Sequence, residues 1–325
     1  MSVMTLVKAI NNALDIKLEE NKDVVVYGED VGFEGGVFRV TQGLQQKYGK
    51  DRVFDALLAE SGIAGTAVGM AVAGMKPVIE MQFSGFAHPA FNQIISHVAR
   101  MRNRSRGKFT SSMVIRMPYG GGIKALEHHS ESLEAIYGHI PGLKVVIPST
   151  PHDAKGLLIS AIESEDPVIY MEPKRIYRAV KQEVSDDKFR VTIGKANVVQ
   201  QGTDVTVVSY GAMMRDTQKA IAMAKKAGIS VELIDLRTIF PIDIETIKKS
   251  IRKTGRIITV HEAAQSFGMG AEMMAIANEE AFLHLEAPPK RVTGFDTIFP
   301  LPQGEYHYLP SPEKIFYEIE RTVKF

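Results

Sequence analysis

Cysteine is absent from the 325-residue sequence, which excludes disulfides, thiolate chemistry and cysteine-based metal sites. Charge of one sign is not in excess either: 39 Lys and Arg stand against 38 Asp and Glu. That balance gives no reason to expect a nucleic-acid partner or an anionic membrane surface. No apolar run approaches the roughly 20 residues that span a bilayer. The N-terminal stretch MSVMTLVKAINNALDIKLEE reads as an amphipathic helix rather than a signal peptide. Lys8, Asn11 and Asn12 interrupt its apolar core, and no small-residue cleavage site follows. A cytoplasmic globular protein is expected, long enough for two domains with their own cores.

What the chain does have is alternation. Apolar strand-like runs (Val24–Tyr27, Val78–Phe83, Met113–Met117, Leu143–Ile147, Val168–Glu172) are separated by helix-like segments near 4–19, 41–47, 89–105 and 151–165. Continuous apolar strands between amphipathic helices predict an α/β fold with a mostly parallel sheet. Residues 176–200 lose both periodicities and gain charge, so they read as a linker with a short strand near Val191. From 201 to 325 the alternation returns, predicting a second α/β domain after a first over 1–175. Thr150 or Ser149 before Pro151 is a strong helix-start signal.

The most informative stretch is FDALLAESGIAGTAVGMAVAGMKPVIEMQFSGFAHPA, residues 54–90. An apolar approach delivers Glu60 to the mouth of a helix of small residues (Gly62, Gly65, Gly69, Ala73). Such a helix lets another backbone come close. A carboxylate among apolar residues is costly to bury ionised, which suits a group that holds or passes a proton. The plainer reading, a helix cap on the positive end of the dipole, stands beside it. Upstream, Gly28-Glu29-Asp30 follows the first long strand, where ligands collect beyond strand ends in open α/β sheets. A plain turn explains the same residues.

Other motifs carry less. PYGGGIKALEHHSES (118–132) presents His128 and His129 after three glycines. Adjacent histidines without a spaced carboxylate argue against zinc. A proton-transfer histidine and a solvated loop histidine both remain open there. Arg100, Arg102, Arg104, Arg106 and Lys108 are spread around a helix end and lack interleaved aromatics, so a solvated or subunit-facing end is expected. Gly268-Met269-Gly270 lacks the third glycine and the acidic residue of a dinucleotide fingerprint, which favours close packing. His261-Glu262 at a strand end reads as structural.

Glu60, Gly65 and Gly69 at their spacing resemble the pyrimidine-side signature of thiamine-diphosphate enzymes. GEDVG, LLAESGIAGTAVGMAVAG, EMQFSGFAHPAFNQI, HHSES, GLKVVIPSTPHDAKGLL, PVIYMEPKRIYR and VELIDLRT together resemble the β subunit of the decarboxylating component of 2-oxo acid dehydrogenase complexes. Thr66 and Met70 depart from the looser pattern, in which they are usually apolar and often Gln. The resemblance implies a pyrimidine-binding thiamine-diphosphate domain over 1–175 and a transketolase C-terminal-like domain over 201–325. It implies Glu60 as the residue that shares a proton with the cofactor's pyrimidine. It places Glu29, Leu58, Ala59, Gln82, Phe86, Ala87, His88 and Pro89 at the cofactor and Phe83, Ser84, Gly85, Phe86 and His129 at the substrate. It aligns His129, not His128, with the family's active-site histidine. It also allows a potassium ion, held largely by main-chain carbonyls, near Ala161, Ser164 and Asp166.

The family divides one active site between two chains. The half that holds Mg²⁺ and the diphosphate carries Gly-Asp-Gly and a distant Asn-Asn. No Gly-Asp-Gly occurs here, and Asn11-Asn12 is misplaced for the second element. The resemblance therefore implies an α subunit in an α₂β₂ heterotetramer, a lipoyl acyltransferase partner and a small 2-oxo acid substrate. QFSGFAHPAF, MEPKRIYRA and RVTGFDTIFP lean toward branched-chain acids over pyruvate. An acetoin dehydrogenase β subunit, a self-contained transketolase-like enzyme and a non-catalytic scaffold are the alternatives.

Overall fold

The computed structural model describes residues Met1–Phe325. Its contacts divide the chain into two units, Met1–Tyr119 with Ile136–Ile193, and Gly120–Ala135 with Gly194–Phe325.

In the first unit, a short strand β1 (Ser2–Met4) leads into helix Leu6–Glu20, whose Thr5 side chain caps the Lys8 amide. The sheet strands are β2 (Val24–Gly28), β3 (Val53–Asp55), β4 (Lys76–Glu80), β5 (Val114–Tyr119), β6 (Lys144–Val146) and β7 (Val168–Pro173). They lie in the order β6-β7-β5-β4-β2-β3, and every pair is parallel. Helices cover both faces of such a sheet, which is why Val24, Val25, Val26, Ile115 and Ile169 are all buried although adjacent in their strands. Helix Pro151–Glu163 starts as its signals predict, with Thr150 Oγ1 accepting from the Asp153 amide at 3.1 Å. A further strand, β8 (Gln182–Val184), pairs antiparallel with β1.

Three local expectations change. The segment 89–105 is not one helix. A 3₁₀ turn (Ser84–Ala90), a short α segment (Phe91–Gln93), a π turn (Ile94–Val98) and another short α segment (Met101–Arg104) follow in series. Pro89 inside the first piece cannot donate to a regular ladder. Helix 41–47 shortens to Leu44–Tyr48, because Gly43 enters it in the left-handed region. No strand forms near Val191; its amide donates to the Gly156 carbonyl and its carbonyl accepts from Ser160 Oγ. The segment thereby packs on helix Pro151–Glu163 instead of joining a sheet.

The second unit holds β9 (Asn197–Gln200), β10 (Val205–Ser209), β11 (Val231–Asp235), a short β12 (Thr238–Phe240), β13 (Ile257–Val260) and β14 (Lys290–Val292). Its sheet runs β14-β13-β10-β11-β9, parallel except for the edge strand β9. Helices Met213–Lys226, Ile244–Thr254, Met269–Ala281 and Pro312–Val323 accompany it. Val207, Leu233, Ile258, Ala220, Ile315 and Ile319 form part of one core between sheet and helices.

Candidate active site

Strand order decides where a site can form in the first unit. From β2 the chain crosses to β3 on one side and then returns to β4 on the other. That reversal opens a crevice at the carboxyl ends of these strands. Three segments leave the sheet there. Glu29 and Asp30 follow β2, Leu57–Glu60 follow β3, and Gln82–Phe86 follow β4. Residues distant in sequence thus share one strand-end region because the topology switches at β2.

Glu60 is the first residue of helix Glu60–Val72, and Ala59 before it provides no side-chain cap. Burial, followed by the nearby charges of Glu60 and Asp30, raises the pKa of Glu29. Glu29 is 7% exposed, and its Oε1 is buried without a hydrogen-bond partner. Such an orphaned acceptor is rare in a finished site and marks a place where a donor is missing. Gln82 donates from Nε2 to Asp30 Oδ2 at 3.0 Å, and Asp30 takes a left-handed φ of 57°. Glu60, Glu29 and Gln82 are therefore brought together, with Asp30 between them.

The remaining expected residues fall around this cluster. Phe86 is half-buried and meets Phe83 edge-on at 5.2 Å; Phe83 meets Phe38 at 5.6 Å. Ser84, Gly85 and Ala87 are buried, whereas Leu58, Ala59, His88 and Pro89 are exposed. His88 donates its Nδ1–H to the Gly85 carbonyl at 2.6 Å, a tautomer fixed by the carbonyl being an acceptor only. Leu57 and Leu58 are 87% and 82% exposed, large apolar side chains left in water immediately before Glu60.

Beneath the crevice lies an ionic group that the strand patterns do not reveal. Arg116 Nη1 donates to Glu80 Oε2 at 2.8 Å, and its Nε and Nη2 form a fork to both oxygens of Glu172 at 2.7 and 3.0 Å. Tyr177 donates to Glu172 Oε2 at 2.6 Å. All four side chains are buried. Burial pushes the Glu80 carboxyl up, against the pull of Arg116. The signal was a charged residue, Glu80, Arg116 or Glu172, within each of three largely apolar strands, β4, β5 and β7. None of the three by itself names its partners.

His128 and His129 lie in a short 3₁₀ turn, Glu127–His129, which belongs to the second unit. His129 is half-buried, and its amide donates to the Leu126 carbonyl at 3.1 Å. His128 is more exposed and has Glu131 3.5 Å away. In the same unit His261 is fully buried and its pKa falls to about 4, chiefly through burial. Its Nε2 accepts from the Gly270 amide at 3.0 Å. A Cβ on Gly268 would lie 2.7 Å from that ring, so the glycine pair serves close packing over a neutral imidazole.

The potassium candidates are already engaged. Asp166 pairs with Arg102 Nε at 2.6 Å and Lys144 Nζ at 3.3 Å, and Lys144 also donates to Ser164 Oγ at 3.0 Å. The Ser164 carbonyl accepts from Ser112 Oγ, and the Ala161 carbonyl from the Ser164 amide. Lys76 Nζ reaches Ser112 Oγ at 2.8 Å and the Ile162 carbonyl at 3.5 Å. Three cationic side chains therefore crowd the place where a cation was expected, and the residues present do not fit one.

Residues 2–180 match the pyrimidine-binding domain of transketolase, and residues 194–315 match the transketolase C-terminal domain. The chain is 58% identical to "Pyruvate dehydrogenase E1 component subunit beta" of Acholeplasma laidlawii, covering 100% of this chain and 99% of that one. The protein of the same name from Mycoplasma genitalium is 51% identical over 98% of each chain. That from Staphylococcus epidermidis is 50% identical over 100% of each. A solved structure titled "Split gene transketolase, inactive beta4 tetramer" superposes with a TM-score of 0.81 over 99% of both chains at 24% identity, a likeness of fold. No helix is long and apolar enough to cross a membrane. On these grounds the chain belongs to the 2-oxo acid dehydrogenase β subunits, built from the transketolase pyrimidine-binding and C-terminal domains.

Proposed function

We propose that this chain supplies the aminopyrimidine half of a thiamine-diphosphate site in a cytoplasmic pyruvate dehydrogenase, and that it works only with an α subunit in an α₂β₂ assembly. The observation that carries this reading is the orphaned Glu29 Oε1, buried beside Glu60 at the topological switch of a parallel sheet. An aminopyrimidine brings the donors that this acceptor lacks. When bound, the cofactor supplies the carbanion chemistry and electron sink that decarboxylation of a 2-oxo acid requires. Glu60 holds or passes the proton at the pyrimidine nitrogen, Glu29 accepts from the ring's donors, and Gln82 is oriented by Asp30. Phe86 offers an apolar face, and Leu58, Ala59, Ala87, His88 and Pro89 frame the ring's approach.

The missing Gly-Asp-Gly leaves Mg²⁺ and the diphosphate to the α subunit, and exposed Leu57 and Leu58 suit a surface that a partner covers. Potassium is left out of this reading because Arg102, Lys144 and Lys76 hold its expected site. His129 handles the proton when the acyl group passes to the lipoyl arm of an acyltransferase. Pyruvate is preferred to the branched-chain acids because relatives at 50–58% identity carry that name. The test is reconstitution with the α subunit, comparing pyruvate with 3-methyl-2-oxobutanoate. Pyruvate should be the better substrate, and the chain alone should decarboxylate neither. Full activity from this chain without α would overturn the divided site.

A further inference from the structure

Residues 120–135 leave the first unit directly after β5, and their contacts belong to the second. The excursion closes on itself where the Gly120 amide donates to the Glu131 carbonyl at 2.9 Å. Three side chains from separate elements of the second unit then hold it. Glu262, which follows β13 and is 4% exposed, accepts from the Gly121 amide at 2.8 Å. Glu305, at the start of helix Glu305–Tyr308, accepts from the Lys124 amide at 3.1 Å. Tyr210, which follows β10, donates to buried Glu134 at 2.8 Å. Between the Lys124 and Glu134 anchors lies the turn that carries His129.

The glycines show how closely this segment sits. Gly120 has φ +80°, and a Cβ there would lie 2.6 Å from a Glu262 carboxylate oxygen. A Cβ on Gly121 would lie 2.3 Å from the Phe299 ring. A carboxylate that accepts from a backbone amide forms a charge-assisted bond, stronger than the neutral kind. Two such bonds, one within the glycine run at Gly121 and one just after it at Lys124, restrict the freedom those glycines would otherwise give the segment.

We propose that Glu262 and Glu305 are positioning residues for the acyl-transfer step, fixing the backbone of 120–135 so that His129 stands where the reaction needs it. The inference rests on the reading of His129 given above. It also assigns a task to Glu262, a strand-end residue that local sequence alone leaves as structural. A catalytic group displaced by about 1 Å can lose about 10²-fold in rate, so the anchors matter without touching substrate.

The experiment uses the assembled α₂β₂ enzyme with its acyltransferase partner. Two assays are run on each variant: overall complex activity, and decarboxylation linked to an artificial electron acceptor, which bypasses the lipoyl arm. His129→Ala and His128→Ala are the references; the first should lose overall activity preferentially, the second should stay near wild type. Glu262→Ala is expected to reproduce the His129→Ala split, with an overall loss of about 10–10²-fold and faster amide exchange across 120–135. Glu262→Gln keeps an acceptor and should recover most of the loss. Gly121→Ala leaves both carboxylates in place but pushes the segment off Phe299, and should show the same split if Glu262→Ala fails to fold. If His129→Ala splits the assays while Glu262→Ala and Gly121→Ala lower both equally, the anchors are merely structural and the proposal falls. If His129→Ala shows no split, the role of His129 falls, and the proposal with it.

Discussion

At the scale of single residues, protons decide function. Glu60→Gln keeps the size of the side chain but removes its ionisable group. In the assembled enzyme the cofactor should still bind, while proton exchange at its reactive carbon slows by at least about 10²-fold, the loss typical of a missing acid or base. Exchange at the wild-type rate would reduce Glu60 to a helix cap. Glu134 gives a separate prediction about stability. It is completely buried, and burial raises its pKa from 4.5 to about 7. Tyr210 donates to one of its oxygens, and the Glu262 charge opposes its ionisation; nearby Tyr308 is itself pushed up to about 12. A raised folded-state pKa means that the folded chain binds this proton more tightly than the unfolded chain. The resulting stabilisation is full below pH 4.5 and is lost as pH rises through about 7. Glu134→Gln should therefore flatten the fall in melting temperature between about pH 5 and 8. An unchanged slope would show that other groups control it.

At the scale of elements, helix Glu60–Val72 and the strand-end ionic group carry opposite burdens. The helix is built of small residues, and a Cβ on Gly69 would meet nothing within 4 Å. Gly69→Leu should consequently leave the isolated chain folded, or slightly more stable because leucine favours helix by up to about 1 kcal/mol. Assembly with α should weaken if this smooth face is where the partner's backbone approaches. Normal assembly of the variant, measured by sedimentation, would move the interface elsewhere. The Glu80–Arg116–Glu172 group is internal to the sheet. Arg116→Met would leave two buried carboxylates without their cation, and breaking a buried pair this way costs about 3–5 kcal/mol. Denaturant unfolding should show a loss of that size. A loss below about 1 kcal/mol, the scale of exposed pairs, would mean water reaches the group.

At the scale of the whole molecule, the chain is built of two mostly parallel α/β units. Its sequence determined much of this unaided. Alternating apolar strands and amphipathic helices specify parallel α/β units because burial period and strand length are local properties. Glu29 was legible as a candidate for a related reason: it follows a strand that the pattern identifies, and strand ends are where such sheets bind ligands. Glu60 stood out by its place at the mouth of a small-residue helix, and Gln82 only through the family resemblance. The broken helix over 84–104 was not legible, since Pro89 and small residues permit several turn types and packing selects among them. The ionic group was not legible either. Glu80 and Arg116 face each other only through the β4–β5 register, and Glu172 joins them only because β7 lies next to β5. Nor could the sequence assign residues 120–135 to the second unit. The groups that hold that segment lie 76, 141 and 181 positions away, at Tyr210, Glu262 and Glu305. Local pattern fixes what a segment can form, because propensity and burial period act over a few residues. Which carboxylate meets which amide across such separations is set by strand order and packing, and only the tertiary structure decided it.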